Sequence, residues 1–344
     1  MNRIDASRAP RRSILQLVAT ISLATSLTLA GCSNTGRTAA VGSSSTPTKM
    51  YRIGIAQIVS HPSLDAIRQG FKDGMKDLGY VEGVNVRYDE QNPQGDQGAL
   101  TSIANNFKGA NLDLSVAITT PCAQSFAQAM PDKPIIFAGV TDPVSAKLVD
   151  NWEHPGGNLT GTSDYPPIDQ QLQLIKDIKP ATRTIGIVYS SSEVNSEVQT
   201  KLAKDAATKL GMNVKTVAVT NSSEVQQAAK SLSGVDAFYV GNDNTVVSGI
   251  EGLVQAAEQM KAVVITADPD SVGRGATAAY AVDQHKMGVN TAKMADRVLK
   301  GAKPGDIPVQ KQTDLTLTVN PAAALRQGTP LSDAQVAKAA KVIR

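Results

Sequence analysis

Residues 51–58 spell YRIGIAQI, a short and nearly continuous apolar run. A run of this kind is typical of a parallel strand that is covered on both faces. Apolar residues then recur at helical spacing, and a glycine is placed to end the helix: Leu64, Ile67, Phe71, Met75, Leu78 and Gly79. The sequence therefore predicts a strand followed by a helix, which is the repeating unit of an α/β fold.

The same alternation continues along the next part of the chain. Strands are predicted at 84–88, 113–118 and 134–138, and helices at 97–107 and 122–130. Strands that alternate with helices in this way form a parallel sheet with right-handed crossovers.

A second set of α/β units repeats the first. Residues 184–189 spell TIGIVY and echo the opening strand, and further strands are predicted at 214–219, 237–240 and 262–266. Between the last two, six residues form an apolar helical face: Val246, Val247, Ile250, Leu253, Val254 and Ala257. The predicted fold class is α/β, with two Rossmann-like lobes and parallel sheets, and ligands of such sheets bind beyond the carboxyl ends of the strands.

Three stretches are predicted to connect the lobes as a hinge: 156–167, 275–283 and 311–319. They divide the chain into a first lobe of residues 51–160 and 284–310 and a second lobe of residues 161–283 and 311–344. A ligand that touches both lobes shifts such a molecule from an open to a closed arrangement.

The amino terminus has the layout of a secretory signal. Arginines at positions 3, 8, 11 and 12 precede an apolar run at 14–31 that hydroxyl residues interrupt. A membrane-spanning helix is the weaker interpretation, because it needs about 20 predominantly apolar residues. Residues 1–31 are therefore predicted to be a cleaved signal peptide.

The end of that run, LAGC at 29–32, resembles the lipobox of bacterial lipoproteins, in which the cysteine becomes the lipid-modified first residue. A chance cysteine beside an ordinary cleavage site is the alternative. Residues 32–50 are rich in Ser, Thr and Gly, cannot bury enough apolar surface to fold, and are predicted to form a flexible tether. We expect lipidation of Cys32 and a membrane anchor at the periplasmic or extracellular face of the cell envelope.

Charge and cysteine usage exclude other classes. The net charge of the 344 residues is +3, and residues 1–31 carry four arginines against Asp5, so the remainder is near neutral. A nucleic-acid partner is not expected, because phosphate binding needs a basic patch. Cys122 is the only cysteine besides Cys32, which leaves no internal disulfide. Cys122 is interpreted as a small residue in the first turn of a helix rather than as a nucleophile.

Five segments carry a resemblance to a known family: TTPCAQ at 119–124, AGVTDPV at 138–144, GGNLTG at 156–161, DNTV at 243–246, and residues 275–283. Over about residues 51–320 the chain resembles the ABC-transporter substrate-binding lipoproteins, whose better-known members bind tryptophan, phenylalanine or tyrosine. The resemblance implies the type I periplasmic-binding fold. The chain departs from the family at Gln284 and His285, where paired tyrosines are frequent, and at Cys122, where a smaller or hydroxyl residue is common.

Six candidate ligand-binding residues of the first lobe lie where strands end and helices begin: Thr119, Thr120, Ala123, Gln124, Val140 and Thr141. Free N–H groups and the positive end of a helix dipole collect at such a place and favour the carboxylate of an amino acid. Helix capping is the alternative role of the threonines, because threonine commonly fills it.

The ammonium group of an amino-acid ligand requires a negative counter-charge. Asp243, at a strand end of the second lobe, is the first candidate, and Asp268 and Asp283 are the reserves. An N-cap is the alternative role of Asp243. Three further residues are candidates for closing the cleft or lining a side-chain pocket: Asn195, His61 and Tyr165.

The predicted function is that of an extracytoplasmic solute-binding lipoprotein of an ABC importer, a monomer whose partners are a small ligand, an amino acid, and an ABC permease. We expect no enzymatic activity, no cofactor and no metal. The sequence contains no phosphate-binding loop, dinucleotide fingerprint or nucleophile elbow, and its three histidines lack metal-ligand spacing. The alternatives are a subunit that presents its ligand to a membrane receptor and an exported enzyme on the same fold.

Overall fold

The computed structural model describes residues 49–344. The predicted signal peptide, most of the predicted tether and Cys32 lie outside the described residues. Between residues 49 and 344, no helix has the length and apolar character that crossing a membrane requires.

The first lobe is built on six strands: β1 (Tyr51–Gln57), β2 (Val86–Gln91), β3 (Leu114–Ile118), β4 (Ile135–Ala138), β5 (Leu159–Ser163) and β11 (Gln310–Lys311). They form one parallel sheet in the order β11, β5, β4, β3, β1, β2. Its helices are α1 (Pro62–Asp77), α2 (Gln97–Gly109), α3 (Thr120–Ala129) and α10 (Gln284–Leu299).

The second lobe is built on seven strands: β6 (Thr184–Ser190), β7 (Asn213–Val219), β8 (Ala237–Val240), β9 (Val263–Thr266), β10 (Ala278–Val282), β12 (Leu315–Val319) and β13 (Lys341–Val342). Their order is β13, β12, β10, β9, β8, β6, β7, and only the pair of β10 and β12 is antiparallel. The helices are α4 (Ile168–Ile178), α5 (Val194–Lys209), α6 (Val225–Ser231), α7 (Asn244–Ser248), α8 (Ile250–Met260), α9 (Asp270–Gly273), α11 (Pro321–Arg326) and α12 (Asp333–Ala337). The predicted α/β class with two mostly parallel sheets is confirmed.

Burial explains why the inner strands are visible in the sequence. Every residue of β3, β4, β8 and β9 is buried. Helices cover both faces of these strands, so both faces must be apolar. Apolar runs without alternation therefore mark the centres of the two sheets.

Glycines let α1 and α10 of the first lobe pack backbone against backbone. A Cβ atom at Gly70 would lie 2.0 Å from the carbonyl oxygen of His285, and one at Gly288 would lie 2.1 Å from that of Ile67. Neither position has room for a side chain. This close contact fixes the amino-terminal ends of both helices beside the cleft between the lobes.

The chain passes between the sheets at three places, namely residues 164–167, Asp283 and residues 312–314. Two of these places differ from the predicted lobe boundaries. Strand β5 pairs with β4 as far as Thr162 and continues to Ser163, three residues beyond the predicted boundary at 160. Lys311 pairs with Ser163 in the first sheet, although it was predicted for the second lobe. In both cases the last strand of the first sheet reaches further along the chain than predicted, and the crossing begins after it.

The predicted helical face at 246–257 is divided into two helices. Gly249, with φ of −104° and ψ of 20°, separates α7 from α8. A Cβ atom there would lie 2.6 Å from the carbonyl oxygen of Ser222. The break leaves α7 as a single short turn beside the cleft.

Candidate ligand-binding site

A cavity of about 400 Å³, including its opening to solvent, lies between the carboxyl edges of the two sheets. Its walls come from both lobes and from the first crossing: His61, Ser63, Leu64, Ile67, Thr119, Thr120, Gly139, Thr141, Asp164, Asn195, Asn242, Asn244, Val247, Asp268 and Gln284. Polar side chains dominate the walls, so the cavity suits a ligand with several hydrogen-bonding groups.

Helices α1 and α3 point their amino-terminal ends at this cavity. Their N-cap residues, His61 and Thr119, make no side-chain capping hydrogen bond. The first N–H groups of a helix have no partner within the helix and carry its positive end charge. The first-lobe wall therefore favours an anionic group such as a carboxylate.

Thr119 adopts a backbone conformation that β-branched residues rarely adopt, with φ of 91° and ψ of 162°. Such a conformation costs on the order of 1–3 kcal/mol and persists only where the surroundings impose it. It sits between a fully buried strand and the start of α3, so the strain is stored in the wall of the cavity.

Several buried polar atoms in the cavity have no hydrogen-bond partner among the described residues. They are both ring nitrogens of His61, Oγ1 of Thr119, Oγ1 of Thr120, Oδ1 of Asn195 and Oε1 of Gln284. A buried polar group without a partner costs about 1–3 kcal/mol. Their concentration in one cavity indicates that a ligand supplies the missing partners.

The amide of Asn195 is held in one orientation. Its Nδ2 donates to Oε2 of Glu193 at 3.1 Å and to the carbonyl oxygen of Asn242 at 2.8 Å. Both amide hydrogens are therefore used inside the second lobe. Oδ1 remains as an acceptor for a donor on the ligand.

Asp164 is a buried carboxylate of the cavity that has no cation beside it. Oγ1 of Thr141 donates to its Oδ1 at 3.2 Å, and no ion pair in the described part of the chain includes it. Burial raises the pKa of Asp164 to about 6, although the bond from Thr141 opposes the shift. A bound cation would stabilise the ionised carboxylate.

Two hydrogen bonds join the walls of the cleft. Oγ of Ser63, in α1, donates to Oδ1 of Asp268 at 2.8 Å. Nδ2 of Asn242 donates to the carbonyl oxygen of Asp164 at 3.1 Å. Asp268 is itself held in place by the N–H and hydroxyl of Ser271, at 2.9 and 2.7 Å. The lobes are therefore in contact across the cavity.

The described residues offer no metal or nucleophile chemistry. Within residues 49–344, no group of three or more His, Cys, Asp or Glu side chains is placed to hold a metal ion. Cys122 is fully buried, and burial raises the pKa of its thiol to about 12. A thiol of this kind stays protonated at neutral pH and does not act as a nucleophile.

Six of the residues predicted from the sequence line the cavity: His61, Thr119, Thr120, Thr141, Asn195 and Asp268. Five of them follow the carboxyl end of a strand by no more than four residues, and Asn195 lies in the first turn of α5. The other six lie elsewhere: Ala123, Gln124, Val140, Asp243, Asp283 and Tyr165.

Four of these six residues make contacts inside the first lobe or on the outer side of the hinge. Ala123 and Val140 are fully buried in its apolar core. Nε2 of Gln124 donates to the carbonyl oxygen of Ala146 at 3.2 Å. Tyr165 packs on the outer side of the hinge, edge-on against Trp152 with 6.2 Å between ring centroids, and Nζ of Lys311 lies 4.3 Å from its ring.

The predicted counter-charges Asp243 and Asp283 are helix caps. Asp243 accepts hydrogen bonds from the N–H groups of Val246 at 2.8 Å and Ser190 at 2.6 Å, both inside the second lobe. Burial and the neighbouring carboxylate of Glu193 raise the pKa of Asp243 to about 7. Asp283 is exposed and caps α10. The capping role that was the alternative for Asp243 is the one that the structure gives it.

Nine lining residues were not predicted: Ser63, Leu64, Ile67, Gly139, Asp164, Asn242, Asn244, Val247 and Gln284. Asp164 and Asn242 follow β5 and β8 closely, so the rule that ligands bind at strand ends was sufficient to find them. Gln284 has no such local signal, because α10 returns to the first lobe only after the chain has built the strands of the second sheet up to β10.

Comparison with known proteins decides the family. Residues 52–343 match the family described as "ABC transporter substrate binding protein". The chain belongs to this family. Substrate-binding proteins of ABC transporters are extracytoplasmic binding proteins and not enzymes.

Relatives of this substrate-binding protein include characterised members. It is 41% identical over 312 residues, 90% of each chain, to a "Tyrosine-binding protein" of Clostridioides difficile. It is 39% identical to a Streptococcus pneumonia "ABC domain in complex with L-Trp", with a TM-score of 0.83 over 86% of this chain and 100% of that one. The "ligand-free, open structure" of a Clostridium difficile substrate-binding protein is 38% identical, with a TM-score of 0.66 over 86% of this chain and 99% of that one.

Proposed function

We propose that this substrate-binding protein captures an aromatic amino acid as a zwitterion in the cavity between its lobes and delivers it to the permease of an ABC importer. The observation that carries the proposal is the opposite polarity of two parts of the cavity. Asp164 supplies a buried negative charge without a cation, and the start of α3 supplies an uncapped positive helix end. An ammonium and a carboxylate on one small molecule satisfy both.

In this arrangement the ligand carboxylate accepts hydrogen bonds from the hydroxyls of Thr119 and Thr120 and from the first N–H groups of α3. The ammonium donates to Asp164 and to Oδ1 of Asn195. Each of these side-chain atoms is buried, and the hydroxyls and the Asn195 oxygen have no partner among the described residues. Charge-assisted bonds of this kind are about twice as strong as neutral ones.

Apolar residues of both lobes supply a place for a ring. Leu64 and Ile67 face the cavity from α1, and Val247 faces it from α7. Two relatives at about 40% identity are named for tyrosine or were solved with tryptophan, which supports an aromatic ligand here.

Closure of the lobes around the ligand is the proposed mechanism of capture. The chain has a TM-score of 0.83 to the tryptophan complex and 0.66 to the ligand-free open relative, although identity and coverage are nearly equal. The hydrogen bond from Ser63 to Asp268 joins the two lobes, and the one from Asn242 joins the second lobe to the first crossing at Asp164. A ligand that bridges the lobes favours this arrangement.

Calorimetric titration of the purified protein with L-tyrosine, L-tryptophan, D-glucose and acetate tests the proposal. We expect binding of the amino acids, and compaction in small-angle X-ray scattering only when they are present. Binding of the sugar without any amino acid would refute the zwitterion assignment.

We also propose that Cys32 carries a lipid anchor that holds the domain at the outer face of a membrane, as a monomer beside its permease. The support is the LAGC sequence at 29–32 after an apolar run, together with the extracytoplasmic role of the family. Membrane fractionation of wild-type and Cys32→Ala cells tests it, with Cys122→Ala as the matched control. Release of the Cys32→Ala protein alone is expected, and retention of that variant in the membrane would contradict the anchor.

A further inference from the structure

His61 stands at one end of a row of residues on α1. His61 is the N-cap of α1, and Leu64 and Ile67 follow it along the helix at spacings of three residues; all three line the cavity. Six residues of helix correspond to about 9 Å. Ile67 and Asp164 both border Gly139, because a Cβ atom there would lie 3.3 Å from Cδ1 of Ile67 and 4.0 Å from Oδ2 of Asp164. The row therefore begins beside Asp164, where the ligand ammonium is proposed to bind, and ends at His61.

The imidazole of His61 is buried, with 8% of the residue exposed, and neither ring nitrogen has a partner among the described residues. The carboxylates around it are already engaged. Asp65 accepts from Gln57 at 2.8 Å and from Ser60 at 3.1 Å. Asp268 accepts from Ser63 and Ser271. Neither of these carboxylates is bonded to the ring of His61.

Burial lowers the pKa of His61 to about 4, although the nearby carboxylate of Asp268 opposes the shift. The ring is therefore neutral at neutral pH and presents one N–H donor and one nitrogen acceptor. A neutral ring of this kind suits an uncharged polar group such as a hydroxyl.

We infer that His61 binds a hydroxyl or N–H group at the far end of the ligand's side chain, so that the cleft selects tyrosine or tryptophan over phenylalanine. This inference rests on the proposed function, because it assumes that an amino acid is anchored at Asp164. The ring then lies along Leu64 and Ile67, and its polar tip reaches the imidazole. A ligand without that tip leaves the buried ring unpaired, and sites built to bond a hydroxyl reject such analogues strongly.

Calorimetric titration with L-tyrosine and L-phenylalanine tests the inference, because these ligands differ by a single hydroxyl. We expect wild-type protein to bind tyrosine about tenfold or more tighter than phenylalanine. In His61→Leu the ratio of the two dissociation constants should fall to near unity, with phenylalanine binding retained. Retained phenylalanine binding also shows that the variant is folded.

Two further variants test whether the hydrogen-bonding groups of residue 61 set the preference for tyrosine. His61→Gln keeps a donor and an acceptor and should restore most of the preference for tyrosine. Tyr165→Phe, on the outer side of the hinge, should leave the ratio unchanged.

Equal affinity of wild-type protein for tyrosine and phenylalanine, or an equal loss of both in His61→Leu, would overturn the inference and leave the proposed function intact. Failure of wild-type protein to bind any amino acid would instead refute the proposed function.

Discussion

Ser63 and Asp268, separated by 205 positions in the chain, are joined by a hydrogen bond of 2.8 Å across the cleft. The donor sits in the first turn of α1 in the first lobe, and the acceptor precedes α9 in the second lobe. Because each lobe contributes one partner, this bond forms only when the cleft closes. It couples ligand capture to closure without touching the hinge.

Ser63→Ala removes this bond and should weaken ligand binding by favouring the open arrangement. A hydrogen bond to a charged group contributes about 1.5–3 kcal/mol, and Asp268 keeps its bonds from Ser271, so we expect the dissociation constant to rise about tenfold. Calorimetric titration measures this change. Ser145→Ala is the matched control, because Ser145 donates to Asp142 within one lobe. Equal effects of the two variants would rule out a role in closure.

Asp164→Asn should weaken amino-acid binding about thirtyfold or more, because the ligand ammonium loses a buried counter-charge. The unfolding free energy of the ligand-free protein should not fall at pH 7.5, since a buried charge without a cation has been removed. Titration calorimetry and urea unfolding separate the two effects. A variant that unfolds readily would point to a structural role for this carboxylate.

Affinity should also depend on pH through Asp164. Its pKa lies at about 6 in the ligand-free protein, above the ordinary value of an aspartate, so the carboxyl takes up a proton as the pH falls through 6. The ammonium needs the ionised form, and affinity should therefore decrease below pH 6 and level off above pH 7. In Asp164→Asn this pH dependence should disappear. An unchanged profile in that variant would assign the effect to another group.

Asp243→Ala should lower the free energy of unfolding by about 2 kcal/mol, because it removes the acceptor of two buried N–H groups. The raised pKa of Asp243 means that the folded state keeps a proton which the unfolded chain releases. Wild-type stability should therefore decline from about pH 4 to pH 7, and this slope should flatten in the variant. Urea unfolding at pH 5 and 7.5 measures both. Asp96→Ala, at the exposed cap of α2, should lower stability without changing the slope.

Gly70→Ala should destabilise the protein by about 2 kcal/mol or more, because its Cβ atom would collide with the backbone of α10. The amino-terminal ends of α1 and α10 carry cavity residues, so ligand affinity should fall with stability. Gly109→Ala provides the control, because a Cβ atom there meets nothing within 4 Å. Thermal unfolding should show a lower midpoint for the first variant and little change for the second.

The sequence was sufficient for the parts of the fold that depend on local patterns. The apolar run at 51–58 and its echo at 184–189 identified β1 and β6, because strands covered on both faces cannot alternate. The position of Thr119 and Thr120, between a strand end and a helix start, was predicted from the same local patterns, and both residues line the cavity. The break between α7 and α8 at Gly249 was not predicted, because the apolar helical face continues across that position.

The choice among acidic residues was left to tertiary structure. Asp164, Asp243, Asp268 and Asp283 all follow strand ends, and their sequence surroundings do not separate a capping carboxylate from a free one. That difference depends on which N–H groups the folded chain brings within hydrogen-bond distance, such as the N–H of Ser190, which is 53 positions from Asp243. Local spacing determined where strands end. Contacts between residues far apart in the chain decided which strand ends face the cleft, because burial and hydrogen bonding there are set by the packing of one lobe against the other.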